Sequence, residues 1–268
     1  KQIITNEFIS YSFENKFQLF ELWSSYYMKV PFLNLKEQNL QIKNEVILLW
    51  EEILASSQFI GGEHVSGFEE EFSDACDSKY CVAVSSGTCA LRFIFLALDL
   101  NPGDEVITVP NTFIATTEAI TQSGGKVTFV DIDPERYTLC PKSLSAYLNS
   151  LTPDRKAKVK GIVPVHLYGQ MADMDKIMSI ANEHNLWVVE DAAQAHLAQY
   201  KNKKAGSIGI AGAFSFYPSK NLGAGGEAGA VVTNNAEIYK KLKMLRDHGQ
   251  SEKYIHDIEG YNGRCDAL

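Results

Sequence analysis

Tyr80-Cys-Val-Ala-Val-Ser-Ser-Gly-Thr-Cys-Ala-Leu-Arg-Phe-Ile-Phe-Leu-Ala-Leu98 reads as three pieces. Tyr80 to Val84 is a short apolar strand, Ser85 to Thr88 a turn of small polar residues, and Cys89 to Leu98 a helix. The same order recurs along the chain. Glu105 to Val109 is a strand followed by a helix over Thr112 to Gln122. Lys126 to Val130 is a strand ending in Asp131-Ile-Asp133, and Pro141 to Asn149 a short helix. Lys160 to Val165 reads as a buried strand, Asp173 to Glu183 as a helix, and Leu186 to Val189 as a strand running into Glu190-Asp191. A strand at Ala230 to Thr233 and a helix from Asn235 to Arg246 follow. Upstream, Leu40 to Ser56 is helical, with Ile42, Val46, Leu49 and Ile53 on one face. Ser66-Gly-Phe-Glu69 reads as a capping box opening a helix that runs to about Cys76. Strands alternating with helices predict an α/β fold with a mostly parallel sheet and helices on both faces. With no repeat, low-complexity tract or linker, residues from about 37 to 250 read as one domain.

Composition narrows the class of protein. The 268 residues, 45% hydrophobic and 22% charged, are those of an ordinary globular protein. A formal net charge of −8 argues against nucleic acid as the partner, though a local site can still bind an anion. No apolar run is long enough to cross a membrane, and Glu7, Glu14 and Glu21 interrupt any signal-peptide pattern. Cys76, Cys81, Cys89, Cys140 and Cys265 are odd in number and lack C-x-x-C spacing. They suit a reducing cytoplasm rather than a disulfide frame or a metal site. Met28 reads as a natural start, which leaves residues 1–27 as an aromatic-rich extension without a role. The C-terminal Asn262-Gly-Arg-Cys-Asp-Ala-Leu268 stops without a cap or polar tail, as expected if a C-terminal part is missing.

In such a sheet ligands bind beyond the carboxyl ends of the strands. Those ends carry Ser85 to Thr88, Asn111-Thr-Phe113, His166, Asp191 to Gln194, and Ser215 to Lys220. Ser85-Ser-Gly-Thr88 leads into a helix start, where free N–H groups can cradle a phosphate; alternatively Ser86 or Thr88 is a plain N-cap. A dinucleotide fingerprint is absent, because the Gly223–Gly229 cluster leads into a strand. Phe113 offers a ring face, or is core. His166 and His196 can meet a ligand or a structural partner. Asp191 closes a hydrophobic strand and needs a cation, whether a ring nitrogen or a lysine, to offset its desolvation.

Lys220 stands in Phe214-Ser-Phe-Tyr-Pro-Ser-Lys-Asn-Leu-Gly-Ala-Gly-Gly-Glu-Ala-Gly229, at the head of a glycine-rich loop. A loop lysine alone is an ordinary solvated residue. One packed among close backbones has a lowered pKa and can form a Schiff base with a carbonyl. Phosphate cradle, ring face, aspartate and lysine together are the demands of pyridoxal 5′-phosphate (PLP).

At these residues the chain resembles the DegT-like nucleotide-sugar aminotransferases, fold-type I PLP enzymes of the aspartate-aminotransferase superfamily. The matching runs are Val84 to Leu91, Pro110 to Thr116, Val165 to Gln170, Glu190 to His196, Phe214 to Gly223, Arg246 to Gly249 and Gly260 to Arg264. Members that deoxygenate sugars carry histidine where this chain has Lys220. Leu197 stands where glycine is common, and Ala228 interrupts a Gly-Gly pair. The resemblance implies that Lys220 holds the cofactor and shuttles the proton. It places Asp191 on the pyridine nitrogen, Gln194 near the ring hydroxyl, Phe113 on the ring face, and Gly87, Thr88 and Ser215 on the phosphate. Asn262 matches an asparagine that reaches the cofactor of a neighbouring subunit, implying a homodimer; Arg246 and His248 lie in a motif near that interface. The fold implied is a PLP-binding large domain over residues 28–268, cut before or within a C-terminal small domain. The reaction implied is transamination of a nucleotide-linked keto sugar with an amino-acid donor, L-glutamate being the expected one. A non-catalytic sensor or regulator, a lyase or aldolase of the same fold, and an inactive fragment are the alternatives.

Overall fold

The computed structural model describes residues 30–268, and the extension read over residues 1–27 lies outside the described residues. The chain divides into a unit up to Ile42 and a compact unit from Lys43 to Leu268. In the first, Asn34 Oδ1 accepts the Glu37 N–H at 3.3 Å, at the start of helix α1 (Leu35–Ser56).

The second unit carries α2 (Gly62–Ala75), β1 (Tyr80–Val84), α3 (Gly87–Ala97), β2 (Glu105–Thr108), α4 (Ile114–Gln122), β3 (Lys126–Phe129), α5 (Pro141–Ser150), the single-turn α6 (Pro153–Lys156) and β4 (Val159–Ile162). It continues with α7 (Met174–Glu183), β5 (Trp187–Asp191), the two-residue strands β6 (Gln199–Tyr200) and β7 (Lys203–Lys204), β8 (Ala211–Ser215), β9 (Gly229–Thr233), α8 (Ala236–Arg246), and a hairpin of β10 (Gln250–Glu252) and β11 (Ile255–His256). Seven strands form one sheet in the order β1-β9-β8-β5-β4-β2-β3. Pairing is parallel throughout except at β9, which lies antiparallel between β1 and β8. The predicted mostly parallel α/β architecture is what the chain adopts.

Alternate residues of the same strand face different cores. Val188 and Phe214 pack in one cluster with Phe72, Ile107 and Ile162. Val189 and Ala213 pack in the other with Val82, Phe93 and Phe95. Burial on both faces explains why these strands read as continuous apolar runs rather than alternating ones. Cys76 and Cys81 fill the first cluster, where burial pushes the Cys76 thiol up to about 12. Among the described residues, no helix is long and apolar enough to cross a membrane.

Two expectations are corrected. The helical face read in Leu40 to Ser56 is not a buried stripe: Ile53 is buried, but Ile42 and Leu49 are exposed. Nor does Ser66 open a helix. Helix α2 starts four residues earlier behind Gly61, and the Ser66 hydroxyl donates back to the Gly62 carbonyl at 2.9 Å. Glu69, the other half of the supposed box, points across to β1. Its Oε1 accepts the Ala83 N–H at 2.8 Å and pairs with Arg246, which also donates to the Ala83 carbonyl at 2.6 Å. Arg246 is therefore an internal clasp joining α2, β1 and α8. Removing one member of a buried pair typically costs about 3–5 kcal/mol. Lys243, with Nζ 3.8 Å from Glu69 Oε2, offsets part of that. Arg246→Ala is expected to lower unfolding free energy by about 2–3 kcal/mol in urea titrations; a change under about 0.5 kcal/mol, the range of featureless surface sites, would contradict the clasp.

Candidate active site

The site lies where the parallel strands end. β1 runs through Ser85 into α3, whose first turn is capped by Ser86: its Oγ accepts the Cys89 N–H at 3.1 Å. That leaves the N–H groups of Gly87 and Thr88 without intrahelical acceptors. Gly87 is required by packing. A Cβ there would lie 2.6 Å from the Ser215 Cβ, so only glycine lets the helix start and the end of β8 meet. Ser215 Oγ, beside it, takes the Tyr217 N–H at 3.3 Å.

Asp191 is the last residue of β5 and 6% exposed. Its Oδ2 accepts the Thr116 hydroxyl at 2.6 Å and its Oδ1 the Ala193 N–H at 3.2 Å. Because Thr116 donates to the carboxylate, the Thr112 hydroxyl, 2.8 Å away, must donate to Thr116. Both partners of the carboxylate are neutral. Among the described residues, no cationic side chain lies within ion-pair distance of Asp191. The preceding residue, Glu190, turns to the opposite face, as the two-residue period of a strand requires.

After β8 the chain turns at Pro218 and folds on itself. Lys220 N–H donates to the Tyr217 carbonyl at 2.8 Å, and Ala224 N–H to the Phe216 carbonyl at 2.7 Å. Lys220 is half-buried, and burial holds its amine below the usual lysine pKa, with the Asp191 charge opposing that effect. A folded-state pKa below that of the unfolded chain means the ammonium form works against folding at neutral pH. That handicap lifts as pH rises through the folded value towards the unfolded one, about 10.4. Lys220→Met is therefore expected to raise the Tm of PLP-free protein at pH 7, with the gain shrinking towards pH ~10; an unchanged or lowered Tm at pH 7 would contradict a desolvated amine.

Gln194 accepts the Tyr168 N–H on Oε1 at 2.8 Å, so its NH2 end is left to donate. Phe113, the N-cap residue of α4, is 69% exposed rather than core. His166 takes the structural option. Its Nδ1 accepts the Ala172 N–H at 3.2 Å, and Nε2 lies 2.9 Å from Glu190 Oε2, both side chains fully buried. Leu197 has φ 59°, in the left-handed region. Glycine adopts it freely, whereas an L side chain costs about 1 kcal/mol, which fits the glycine that the family resemblance leads one to expect there.

Gly87, Thr88, Phe113, Asp191, Gln194, Ser215 and Lys220 line one cavity of about 520 Å3. Asn262 does not: it is exposed and accepts from Arg264 at 3.0 Å. Sequence reading missed Thr116 as the partner of Asp191, and Glu227 in the wall. The i, i+4 pair Thr112 and Thr116, on either side of Phe113, was the available signal for a hydroxyl relay. A second cavity, about 490 Å3, lies behind the loop against Phe68, Phe72 and Phe216 and holds neither the lysine nor the helix start. The 520 Å3 cavity thus offers N–H donors for an anion, a buried acceptor for a cation, and an amine for a carbonyl.

The sequence model of the DegT/DnrJ/EryC1/StrS aminotransferase family matches residues 40–268. The chain belongs to this family. Among its DegT relatives, the pleiotropic regulatory protein of Geobacillus stearothermophilus is 42% identical over 241 residues, covering 90% of this chain and 63% of the relative. The UDP-2-acetamido-2-deoxy-3-oxo-D-glucuronate aminotransferase of Pseudomonas aeruginosa is 39% identical over 239 residues, covering 89% and 65%. The crystal structure of NtdA from Bacillus subtilis with bound cofactor PMP matches with a TM-score of 0.81 at 37% identity, over 89% of this chain and 53% of that one. The chain thus spans less than two thirds of the length of these relatives.

Proposed function

We propose that the protein is a PLP-dependent aminotransferase that moves an amino group from an amino acid, L-glutamate being the expected donor, to a nucleotide-linked keto sugar. One observation carries the reading: Asp191 is a buried carboxylate with only neutral partners, in the same cavity as a desolvated lysine. A protonated pyridine nitrogen is the cation such a carboxylate lacks. The other donors fit the same group, with helix-start N–H groups and the Ser215 hydroxyl for its phosphate. PLP, when bound, supplies an aldehyde that amines condense with and a ring that accepts the electrons of the adjacent C–H bond.

The family resemblance assigns the roles, and the chemistry of each atom supports them. Lys220 Nζ, with its lowered pKa, would hold the aldehyde carbon of the cofactor and, as the free amine, would take the proton from the donor's α-carbon. Asp191 keeps a ring nitrogen protonated, and the relay from Thr112 through Thr116 fixes the carboxylate's orientation. Gln194 donates its NH2 to the ring oxygen, Phe113 covers a ring face, and Gly87, Thr88 and Ser215 hold the phosphate. Asn262, exposed outside the cavity, suits the reading in which it serves the site of a second copy in a homodimer. Residues 28–268 would be the PLP-binding large domain, working in the cytoplasm in amino-sugar and polysaccharide biosynthesis. A regulator without chemistry would need neither the desolvated amine nor a buried carboxylate without an ion pair.

The test is an absorption spectrum of the purified protein with PLP, before and after L-glutamate. A visible band that bleaches on adding the donor, and is absent in Lys220→Ala, supports the reading. A protein that takes up no PLP sinks it.

A further inference from the structure

We propose that His196 is a positioning residue for Lys220, acting through Asn221. The inference rests on the reading of Lys220 as the reacting amine and adds to it a residue outside the cavity wall.

The lysine sits on a loop, and a loop places a reacting atom only as well as it is tied down. On its N-terminal side Lys220 is tied by its own N–H to Tyr217, and the loop base is closed by Ala224 to Phe216. On its C-terminal side, Asn221 to Gly223 are exposed. The tie there is the bond between Asn221 Oδ1 and His196 Nδ1, at 2.7 Å. His196 can act as an anchor because it cannot move. It is 7% exposed, and its ring lies against Phe214 and Phe216, with centroids 5.5 and 5.2 Å away. Those two phenylalanines belong to β8 and to the base of the lysine loop. The anchor is therefore built on the rigid sheet and reaches over to the residue beside Lys220.

The unpaired nitrogen of His196 points the same way. A carbonyl oxygen at Nδ1 requires the proton on Nδ1, which leaves Nε2 buried without a well-formed hydrogen bond among the described residues, although the Ser215 backbone lies near enough to act on the ring. His166, by contrast, has both nitrogens satisfied. Burying an unpaired polar atom is unfavourable, and leucine or phenylalanine would fill the space between the two rings without that cost. What histidine adds at this position is the grip on Asn221. Burial lowers the ring's pKa and so favours its uncharged form, with the bond to Asn221 and the Ser215 backbone opposing and the neighbouring Lys220 charge adding to the effect of burial.

The experiment uses His196→Leu, Asn221→Ala, the double variant and the conservative His196→Gln, whose amide can still donate to Asn221. Two rates are measured in each. One is the capture of added PLP on Lys220, fixed with borohydride and located by mass spectrometry. The other, in PLP-free protein, is the acylation of Lys220 by a small amine-reactive ester across pH, with the other lysines as internal controls. Misplacing a reacting group by about 1 Å costs on the order of 10²-fold. His196→Leu and Asn221→Ala are each expected to slow capture by about tenfold or more. The double variant should be no slower than either single one, because both remove the same tie, and His196→Gln should recover most of the rate. Acylation of Lys220 should change while that of the other lysines does not. Wild-type rates in folded His196→Leu, or losses that multiply in the double variant, overturn the proposal. If His196→Leu does not fold, the exposed Asn221→Ala decides: an unchanged capture rate and acylation profile overturn it. Absence of PLP capture in the wild type would instead sink the aminotransferase reading, and the acylation profile would still judge the tie.

Discussion

Lys220→Ala is expected to lower turnover by at least about 10²–10⁴-fold, the usual contribution of a positioned proton-transfer group. The loss is placed at the proton-transfer step rather than in binding. Asp191, Gln194, Gly87, Thr88 and Ser215 all remain in the cavity of the variant, so PLP should still bind noncovalently. Added methylamine or ethylamine, small enough for the space the side chain vacates, should restore part of the rate in proportion to the concentration of its unprotonated form. The measurement is the single-turnover conversion of L-glutamate to its keto acid by the PLP-loaded variant, with and without the added amine. Normal turnover in Lys220→Ala would remove the lysine from the mechanism altogether. Loss of PLP binding along with activity would place the loss in holding the cofactor rather than in proton transfer.

Glu190 carries the largest expected effect on stability. Its side chain is fully buried and accepts four hydrogen bonds. The N–H groups of Ile208 and Gly209 donate to Oε1 at 2.7 Å each, and Gly206 N–H and His166 Nε2 to Oε2 at 2.9 Å each. Each buried donor left unpaired costs about 1–3 kcal/mol. Glu190→Ala unpairs all four, so a loss of about 4 kcal/mol or more is expected, a large fraction of the 5–15 kcal/mol of an ordinary domain. Glu190→Gln is not a rescue. Whichever way its amide turns, the NH2 group faces at least one backbone N–H. His166 cannot adapt, because its Nδ1 is already the acceptor for Ala172. Urea titrations of both variants check this. A Glu190→Gln protein within about 0.5 kcal/mol of wild type, the scale of an ordinary surface substitution, would mean that these donors have other partners.

Glu190 and Asp191 also show where sequence reading reaches its limit. They are adjacent carboxylates at the end of one apolar strand, and period-2 alternation puts them on opposite faces. Which face holds the cavity depends on what packs there. Thr116, 75 positions away in sequence, donates to Asp191, while the 206–209 turn closes on Glu190. Ser66 to Glu69 failed as a capping box for the same reason. A motif of local spacing competed with a clasp from Arg246, 177 positions from Glu69, and the long-range partner won.

The sequence by itself determined the alternation of strands and helices, and hence a mostly parallel sheet. It also located the cavity residues, because each follows directly on the carboxyl end of a strand or lies in the loop just beyond it: Gly87 and Thr88 after β1, Phe113 after β2, Asp191 and Gln194 at β5, Ser215 and Lys220 at β8. Those facts are local, set by hydrophobic period and by the rule that ligands gather at strand ends. Only the tertiary structure decided that β9 runs antiparallel between β1 and β8, bringing Gly229 against Ser86. It alone set the neutral partners of Asp191, the burial that lowers the Lys220 pKa, and the grip of His196 on Asn221. Desolvation and hydrogen-bond pairing depend on which distant residues pack around an atom, and spacing along the chain does not encode that.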